Sequence, residues 1–312
     1  MRMVVTGSRG LVGSRLCLEL WSRGHDVVGL LRGEIPVSFP ERVAQSRRRP
    51  FEYRVCELTD ERAVQSAIVE SKPEVIVHTA SMTDVDACER DPEAAFASNV
   101  AATTHLGRAA RTIHAHLVHV STDYVFDGED GPYREEDVPN PRGIYATTKH
   151  MAEQAVRVLA PSWAIARTAV VYGWPPAGRP NFGSWMVGAL RQGQPVRLFE
   201  DQLVSPSLAL SVASMLAELA ERKLTGIWHT CGGSVVDRVT FGRELCRVFG
   251  FDPALCIPTK LSEAKLASPR PRRCGLRSEK VVAQLESKPL ILPDALARFH
   301  DEYTVADGSV PR

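Results

Sequence analysis

Three features of the sequence predict an α/β fold built on a doubly wound parallel sheet. An N-terminal apolar strand runs through a glycine-rich turn into a helix, short apolar runs recur behind it, and helical patterns separate them. The runs fall at residues 3–6, 26–31, 53–56, 75–79, 117–121 and 163–167. They are apolar on both faces, as strands covered by helices on either side must be. Crossover helices are expected at 11–23, 61–70, 93–114 and 145–159. Residues 33–50 are polar, carry prolines and Arg47-Arg48-Arg49, and read as an exposed loop. Turn residues crowd 172–180, and helical spacing returns at 182–191, 208–222, 240–249 and 292–299. One more apolar strand, 227–230, is expected to rejoin the first sheet.

Composition narrows the class of protein. At roughly 150 residues per domain, 312 residues allow about two domains. A hydrophobic fraction of 44% beside 24% charged residues gives enough apolar surface for a sizeable core. The formal net charge of +1 lacks the basic excess of a general nucleic-acid binder. No apolar run approaches the roughly 18 residues of a membrane span, and no signal-peptide stretch precedes the first strand. The 7 cysteines are odd in number, scattered and free of Cys-x-x-Cys pairs. They point to a reducing, cytoplasmic setting and offer no zinc framework.

Val4-Val5-Thr6-Gly7-Ser8-Arg9-Gly10-Leu11-Val12-Gly13 is strand, turn and helix start in one stretch. Gly7 permits a tight turn, Gly10 lets backbone approach a pyrophosphate, and Gly13 lets helix and sheet pack closely. The helix N-terminus then faces the phosphates. At the first strand–helix junction this reads as a dinucleotide site on a Rossmann-type sheet. The expected cofactor domain is residues 1–172, rejoined by 205–232. Residues 173–204 and 233–312 are expected to form a smaller, interleaved α/β substrate-binding lobe. NAD sites usually close the second strand with Asp or Glu, which holds the ribose 2′-hydroxyl. Here that strand ends Gly29-Leu30-Leu31-Arg32, without an acid. Arg32, and Arg9 from the glycine loop, suit a 2′-phosphate instead, so NADPH is expected over NADH.

Tyr145-Ala146-Thr147-Thr148-Lys149 opens a helix, and its i, i+4 spacing puts phenol and ammonium on one face. A free phenol titrates near about 10, and a neighbouring cation is expected to lower that value. Upstream, Ser121-Thr122-Asp123 ends a strand, where crevices of parallel sheets bind ligands. A hydroxyl there can hold a carbonyl toward Tyr145.

These residues resemble the extended short-chain dehydrogenase/reductases, and within them the dTDP-4-dehydrorhamnose reductases. The matching stretches include TGSRGLVG, HTASMTDVDACERDPEAAFASNV at 78–100, STDYVFDG at 121–128, YATTKHMAE at 145–153 and RTAVVYG at 167–173. NFGSWM at 181–186, DQLVSPS at 201–207, GIWHTCGG at 226–233 and RPRRCGL at 270–276 continue the match along almost the whole chain. The resemblance implies NADPH-dependent reduction of a 4-keto-6-deoxy nucleotide sugar, with Tyr145 as acid and no metal required. It implies Thr122, Tyr145 and Lys149 as the catalytic residues. The cofactor would be held by Gly7, Arg9, Gly10, Leu11, Val12, Gly13, Arg32, Glu57, Leu58, Thr79, Ala80, Ser81 and Asn99, together with Tyr145 and Lys149. The nucleotide sugar would meet Thr83, Asp123, Tyr124, Trp174, Asn181, Phe182, Trp185, Arg270 and Arg273.

The chain departs from the family pattern at Leu31, Val170, Ser211, Cys274 and Arg277, where an acid, an aromatic residue, Asp, Ser and Asp are common. The cofactor pocket is therefore better matched than the substrate lobe. Nucleotide-sugar epimerases and 4,6-dehydratases are the enzyme rivals, but a dehydratase carries Glu where Tyr124 stands. A rival of another kind is a non-catalytic NADP-binding subunit resembling the β subunit of methionine adenosyltransferase. His114, His116 and His119 lack a completing ligand, with 114 and 116 expected on one strand face, so no metal is expected. Arg47-Arg48-Arg49 reads as a solvated run. Trp174 and Trp185 suit either stacking on a base or core packing. The oligomeric state stays open, a homodimer being one option.

Overall fold

The computed structural model describes residues 1–36, 41–175 and 180–307. Parts of two expected irregular stretches, 37–40 and 176–179, lie outside the described residues. Apolar pairs in register build the sheet. β1 (Arg2–Thr6) pairs with β2 (Asp26–Leu31), Val4 beside Val28, and β2 pairs with β3 (Glu52–Val55). On its other side β1 pairs with β4 (Val75–His78), Val4 beside Ile76. β5 (His116–Thr122) and β6 (Ser162–Thr168) follow, Ser121 beside Arg167 and Thr122 beside Thr168. Every pairing is parallel, so helices must carry the chain back between strands.

Those helices are α1 (Leu11–Ser22), α3 (Glu61–Ser71), α6 (Ala102–Ile113) and α7 (Gly143–Leu159), with short α2 (Glu41–Ala44), α4 (Val85–Arg90) and α5 (Pro92–Phe96) between them. The single helix expected over 93–114 is interrupted: Ala97–Ala101 forms a π-turn between α5 and α6. Apolar periodicity runs straight through such a bulge, so it leaves no trace in the pattern. α4 lies inside a stretch read only for its family motif, and Asp84 caps it by accepting from the Ala87 amide. The loop expected over 33–50 contains α2, whose Val43 is fully buried. Arg48 is likewise no solvated side chain. It donates to the carbonyls of Trp21 and His25, and its guanidinium lies 5.5 Å from the Trp21 ring centroid.

After β6 come β7 (Val171–Tyr172), α8 (Phe182–Arg191), β8 (Val196–Phe199), β9 (Leu203–Val204), β10 (Ser207–Leu208) and α9 (Ala209–Glu221). β11 (Gly226–His229) then pairs with β6, completing the order β3-β2-β1-β4-β5-β6-β11. β12 (Val236–Asp237), α10 (Arg238–Phe249), β13 (Cys256–Thr259), α11 (Glu279–Gln284) and α12 (Leu292–Asp307) finish the chain. β8 and β13 pair in parallel, two short strands that the sequence pattern does not reveal. α1 and α9 pack on one sheet face around Leu16, Leu20, Val212 and Leu216. α3, α6 and α7 cover the other around Ile68, Leu106 and Val156. A separate buried cluster around Tyr172, Met186, Phe241 and Phe299 forms the smaller lobe. Among the described residues no helix is long and apolar enough to cross a membrane.

Arg15 straps the two parts together. From α1 it donates to Glu302 on α12 at 2.7 and 3.3 Å, to the Trp174 carbonyl at 2.6 Å and to the Leu11 carbonyl at 3.0 Å. Partly buried Trp174 packs edge-on against Tyr303 at 5.1 Å and near Phe299 at 6.4 Å. Arg15→Ala should cost about 1–3 kcal/mol, because it strips partners from Glu302 and a carbonyl together. Chemical denaturation checks this, and an unchanged midpoint would show that the strap carries no stability.

Candidate active site

The site forms at the carboxyl ends of β1, β4 and β5, where the strand order reverses and leaves a crevice. Gly7 adopts a left-handed φ of 64°, and the Gly10 amide closes the turn on the Gly7 carbonyl at 2.8 Å. A Cβ at Gly13 would lie 2.2 Å from that carbonyl oxygen, and one at Gly7 would lie 2.8 Å from the Ala80 nitrogen. Only glycine fits either place. Gly10 caps α1 with no side-chain bond, so the first-turn amides of Leu11, Val12 and Gly13 meet no capping side chain. Together these make a cradle suited to a pyrophosphate.

Arg9 and Arg32 are both exposed beside this loop, Arg9 donating to the Glu34 carbonyl at 3.0 Å. Leu31, the last residue of β2, is buried. Glu57, past the end of β3, accepts from the Thr59 amide and hydroxyl at 3.1 and 2.9 Å. Those bonds, with Arg32 nearby, hold its carboxyl below the usual range. Leu58 offers its carbonyl to His105 at 2.9 Å.

A chain of hydrogen bonds ties the loop to the helices behind it. Thr79 donates to the Thr6 carbonyl at 2.7 Å, and the Ala80 amide donates to the Thr6 hydroxyl. His78 bridges the hydroxyls of Thr6 and Thr103 at 2.7 and 3.1 Å. Burial, then the Lys149 charge, lower its pKa to about 3, so it is a neutral spacer. Thr103 donates to the Asn99 carbonyl within the π-turn, and the Asn99 side chain accepts from Ser81 and the Met82 amide and donates to Thr148. Thr83 is exposed at the rim. Asn99 is an expected site residue and His78 is not, although a polar ring inside an apolar strand is a signal for it.

Thr122 ends β5, Tyr145 and Lys149 sit on α7, and all three are buried. Thr122 donates to Asp123 Oδ1 at 3.0 Å and accepts from the Tyr124 amide, and its hydroxyl acts on the Tyr145 phenol. Lys149 donates to the Val120 carbonyl at 2.8 Å. The expectation of a phenol made more acidic by Lys149 is not met. Burial dominates and pushes Tyr145 well up, with the Thr122 hydroxyl opposing the rise. Burial also lowers Lys149 to about 8, with Glu153 opposing the fall. Asp123 is buried, keeps Oδ2 without a hydrogen-bond partner, and is raised to about 7 by desolvation. Tyr124 stands edge-on to Tyr145, ring centroids 5.8 Å apart.

Across the crevice, the residues expected to meet substrate divide. Asn181 caps α8, accepting from Ser184, and donates to the Gly173 carbonyl at 2.7 Å. Phe182 and half-exposed Trp185 stack with centroids 6.4 Å apart. Arg270 is ion-paired with Asp86 at 2.9 Å, Arg272 pairs with Asp201 at 3.2 Å, and Arg273 is exposed. Arg238, absent from the sequence reading, donates to Gln202 at 2.9 Å and lies 4.4 Å over the Phe182 ring. Its charge acts on Tyr124 and Asp123 and is opposed by that of Arg270. A cation in the first turn of α10, against the helix dipole, was the signal that could have found it. Cys274 donates to the Asp123 carbonyl at 3.0 Å from the place where the family commonly has Ser.

Of the three histidines near β5, His114 is not on the strand but ends α6 in the left-handed region, φ 58°. His116 and His119 point to opposite faces of β5, because their separation is odd. Among the described residues no group of three His, Cys, Asp or Glu could hold a metal.

A family profile described as RmlD substrate binding domain matches residues 1–305. A protein of Haloferax volcanii, named as a probable low-salt glycan biosynthesis reductase, is 34% identical over 307 residues, 97% of this chain and 99% of its own. A dTDP-4-dehydrorhamnose reductase of Streptomyces griseus is 34% identical over 278 residues, covering 87% of this chain and 84% of that protein. The crystal structure of a dTDP-4-dehydrorhamnose reductase from Clostridium acetobutylicum superposes with a TM-score of 0.83 at 25% identity, over 97% of this chain and 100% of that one.

Asp123 yields a measurable consequence. Its folded value of about 7 stands above its ordinary 3.8, so between those values the folded state holds a proton that the unfolded chain has released. The associated stability is complete below the ordinary value and is lost as pH rises through the folded one. Asp123→Asn cannot ionise. Between about pH 5 and 7 it should gain on the order of a few kcal/mol relative to the unaltered chain. Parallel urea-unfolding curves for the two proteins across that range would contradict a protonated Asp123.

Proposed function

The chain belongs to the RmlD substrate binding domain family, and we propose that it is an NADPH-dependent reductase of a 4-keto-6-deoxy nucleotide sugar, of the dTDP-4-dehydrorhamnose class. The observation that carries this reading is the buried Thr122 at the carboxyl end of β5 with buried Tyr145 and Lys149 on α7, on the same edge of the parallel sheet as the glycine cradle that follows β1.

On this reading the cradle of Gly7, Gly10 and Gly13 holds the pyrophosphate, and Arg9 and Arg32 take the 2′-phosphate. NADPH bound there supplies hydride to the sugar carbonyl carbon. Tyr145, kept protonated by burial, donates its phenolic proton to the oxygen that becomes the new hydroxyl. Thr122 holds that oxygen in place, and the Lys149 ammonium favours the phenolate left behind. No metal is needed for this chemistry, because the hydroxyls polarise the carbonyl. Residues 1–172 with 205–232 serve the cofactor, and 173–204 with 233–312 serve the nucleotide sugar.

Arg238 and Arg270, the latter also paired with Asp86, both act on Tyr124. Two guanidiniums in that quarter support a diphosphate there. Phe182 and Trp185 then offer a stacking surface beside it. The dehydratase reading lacks its carboxylate, since Tyr124 stands in that place. The regulatory-subunit reading leaves the assembled Thr122, Tyr145 and Lys149 without a use. All 7 cysteines are free and buried, which supports a reducing, cytoplasmic setting.

Purified protein given NADPH and dTDP-4-dehydrorhamnose should oxidise the cofactor, and Tyr145→Phe should keep the fold but lose about 100-fold or more in kcat. Near-normal turnover in the phenylalanine variant would defeat the mechanism. For the cofactor, Arg32→Ala should weaken NADPH by about 1–3 kcal/mol and leave NADH little changed. Equal losses by titration would show that Arg32 does not read the phosphate.

A further inference from the structure

Glu153 follows Lys149 by one helical turn on α7 and is completely buried. Its carboxylate accepts from Arg167 Nε at 2.9 Å, from Arg167 Nη2 at 2.8 Å and from Ser121 Oγ at 2.6 Å. Ser121 lies on β5 and Arg167 on β6, and the two are register partners. One carboxylate therefore joins two strands and a helix immediately behind Thr122. Tyr145, Lys149 and Glu153 recur at intervals of four, so they share a stripe of α7. The grip on Glu153 fixes how α7 rolls against the sheet, and with it where phenol and ammonium sit.

Stability alone does not account for this pair. Removing two ions from water costs more than their attraction reliably returns, and apolar residues of similar volume often serve as well. Arg167 even keeps Nη1 without a hydrogen-bond partner, its guanidinium lying 5.0 Å from the Phe126 ring centroid. What an apolar pair lacks is a negative charge beside Lys149. Burial drives Lys149 toward neutrality, and Glu153 opposes it. Glu153 is the charged group that acts on Lys149. His78 from β4 and His119 from β5 are fully buried, and desolvation lowers both. His150 on α7 is lowered too, and Arg167 from β6 is positive. Tyr145, on the same helix, is kept protonated.

We propose that Glu153, gripped by Arg167 and Ser121, is a positioning residue for the reduction, keeping Lys149 charged and fixing the roll of α7 beneath Tyr145. The proposal rests on the reductase reading for its consequence in turnover, but the state of Lys149 can be read without cofactor or substrate.

The test uses protein labelled with [13Cε]lysine, the Lys149 signal being assigned by its loss in Lys149→Arg. In Glu153→Leu/Arg167→Met, which removes both charges, the Lys149 resonance should titrate about one unit or more lower. With NADPH and dTDP-4-dehydrorhamnose, kcat should fall about tenfold or more, its alkaline limb moving to lower pH in step. Glu153→Asp, which keeps the charge, should restore the Lys149 titration. Glu153→Gln is the second variant should the double replacement fail to fold, with the same downward shift expected. An unchanged Lys149 titration in either folded variant overturns the proposal, and so does a failure of both to fold, which would make the pair purely structural. Absence of turnover in the unaltered protein would instead defeat the reductase reading, with the lysine titration still deciding the charge role.

Discussion

Where α1 crosses β1, the Gly13 position touches the Gly7 carbonyl so closely that no side chain fits between them. That approach seats the first turn of α1 over the glycine loop, and two sets of contacts start from it. Thr79 and Ala80 close on Thr6, and His78 carries the connection through Thr103 to Asn99 and on to Thr148 of α7. In the other direction Arg15 leaves the same helix to hold Glu302 and Trp174 of the smaller lobe. The cofactor cradle, the helix of Tyr145 and Lys149, and the far side of the crevice are thus referred to one backbone contact.

Desolvation then sets the charge states around the crevice. It holds Tyr145 protonated, brings Lys149 to about 8 and Asp123 to about 7, and leaves His78 neutral. A phenol that stays protonated is suited to giving up a proton, which is what reduction of a carbonyl asks of it. Beside them lies the fully buried Arg167–Glu153 ion pair, which together with Ser121 ties two strands to α7.

Much of this was legible in the residues. The glycine loop, the alternation of strands and helices, and the spacing of Tyr145 and Lys149 are local signals, and folding keeps them, although it breaks the helix expected over 93–114. Relations made by tertiary contact were not legible. The π-turn at Ala97–Ala101 hides inside a continuous apolar pattern. Arg48 reads as one of three solvated arginines until Trp21 and His25 come to meet it. Trp174 turns to Tyr303, far away in the chain, and Asn181 caps its own helix. His114 leaves the strand pattern because α6 needs a left-handed residue at its end. Arg238 and Glu153 matter through partners on other elements, so composition and periodicity pass over them.

The position of β11 has a consequence for how the chain is made. Six strands of the central sheet are complete once Thr168 has been synthesised, yet β6 acquires its outer neighbour only when Gly226–His229 follow. In the interval the newborn polypeptide presents an open, largely apolar strand edge while β7, α8 and β8 are still being produced. The smaller lobe waits longer still, since β8 finds its partner in β13. Such an edge is the natural place for a chaperone to hold the emerging protein, and for two ribosome-bound copies to stick together when it does not.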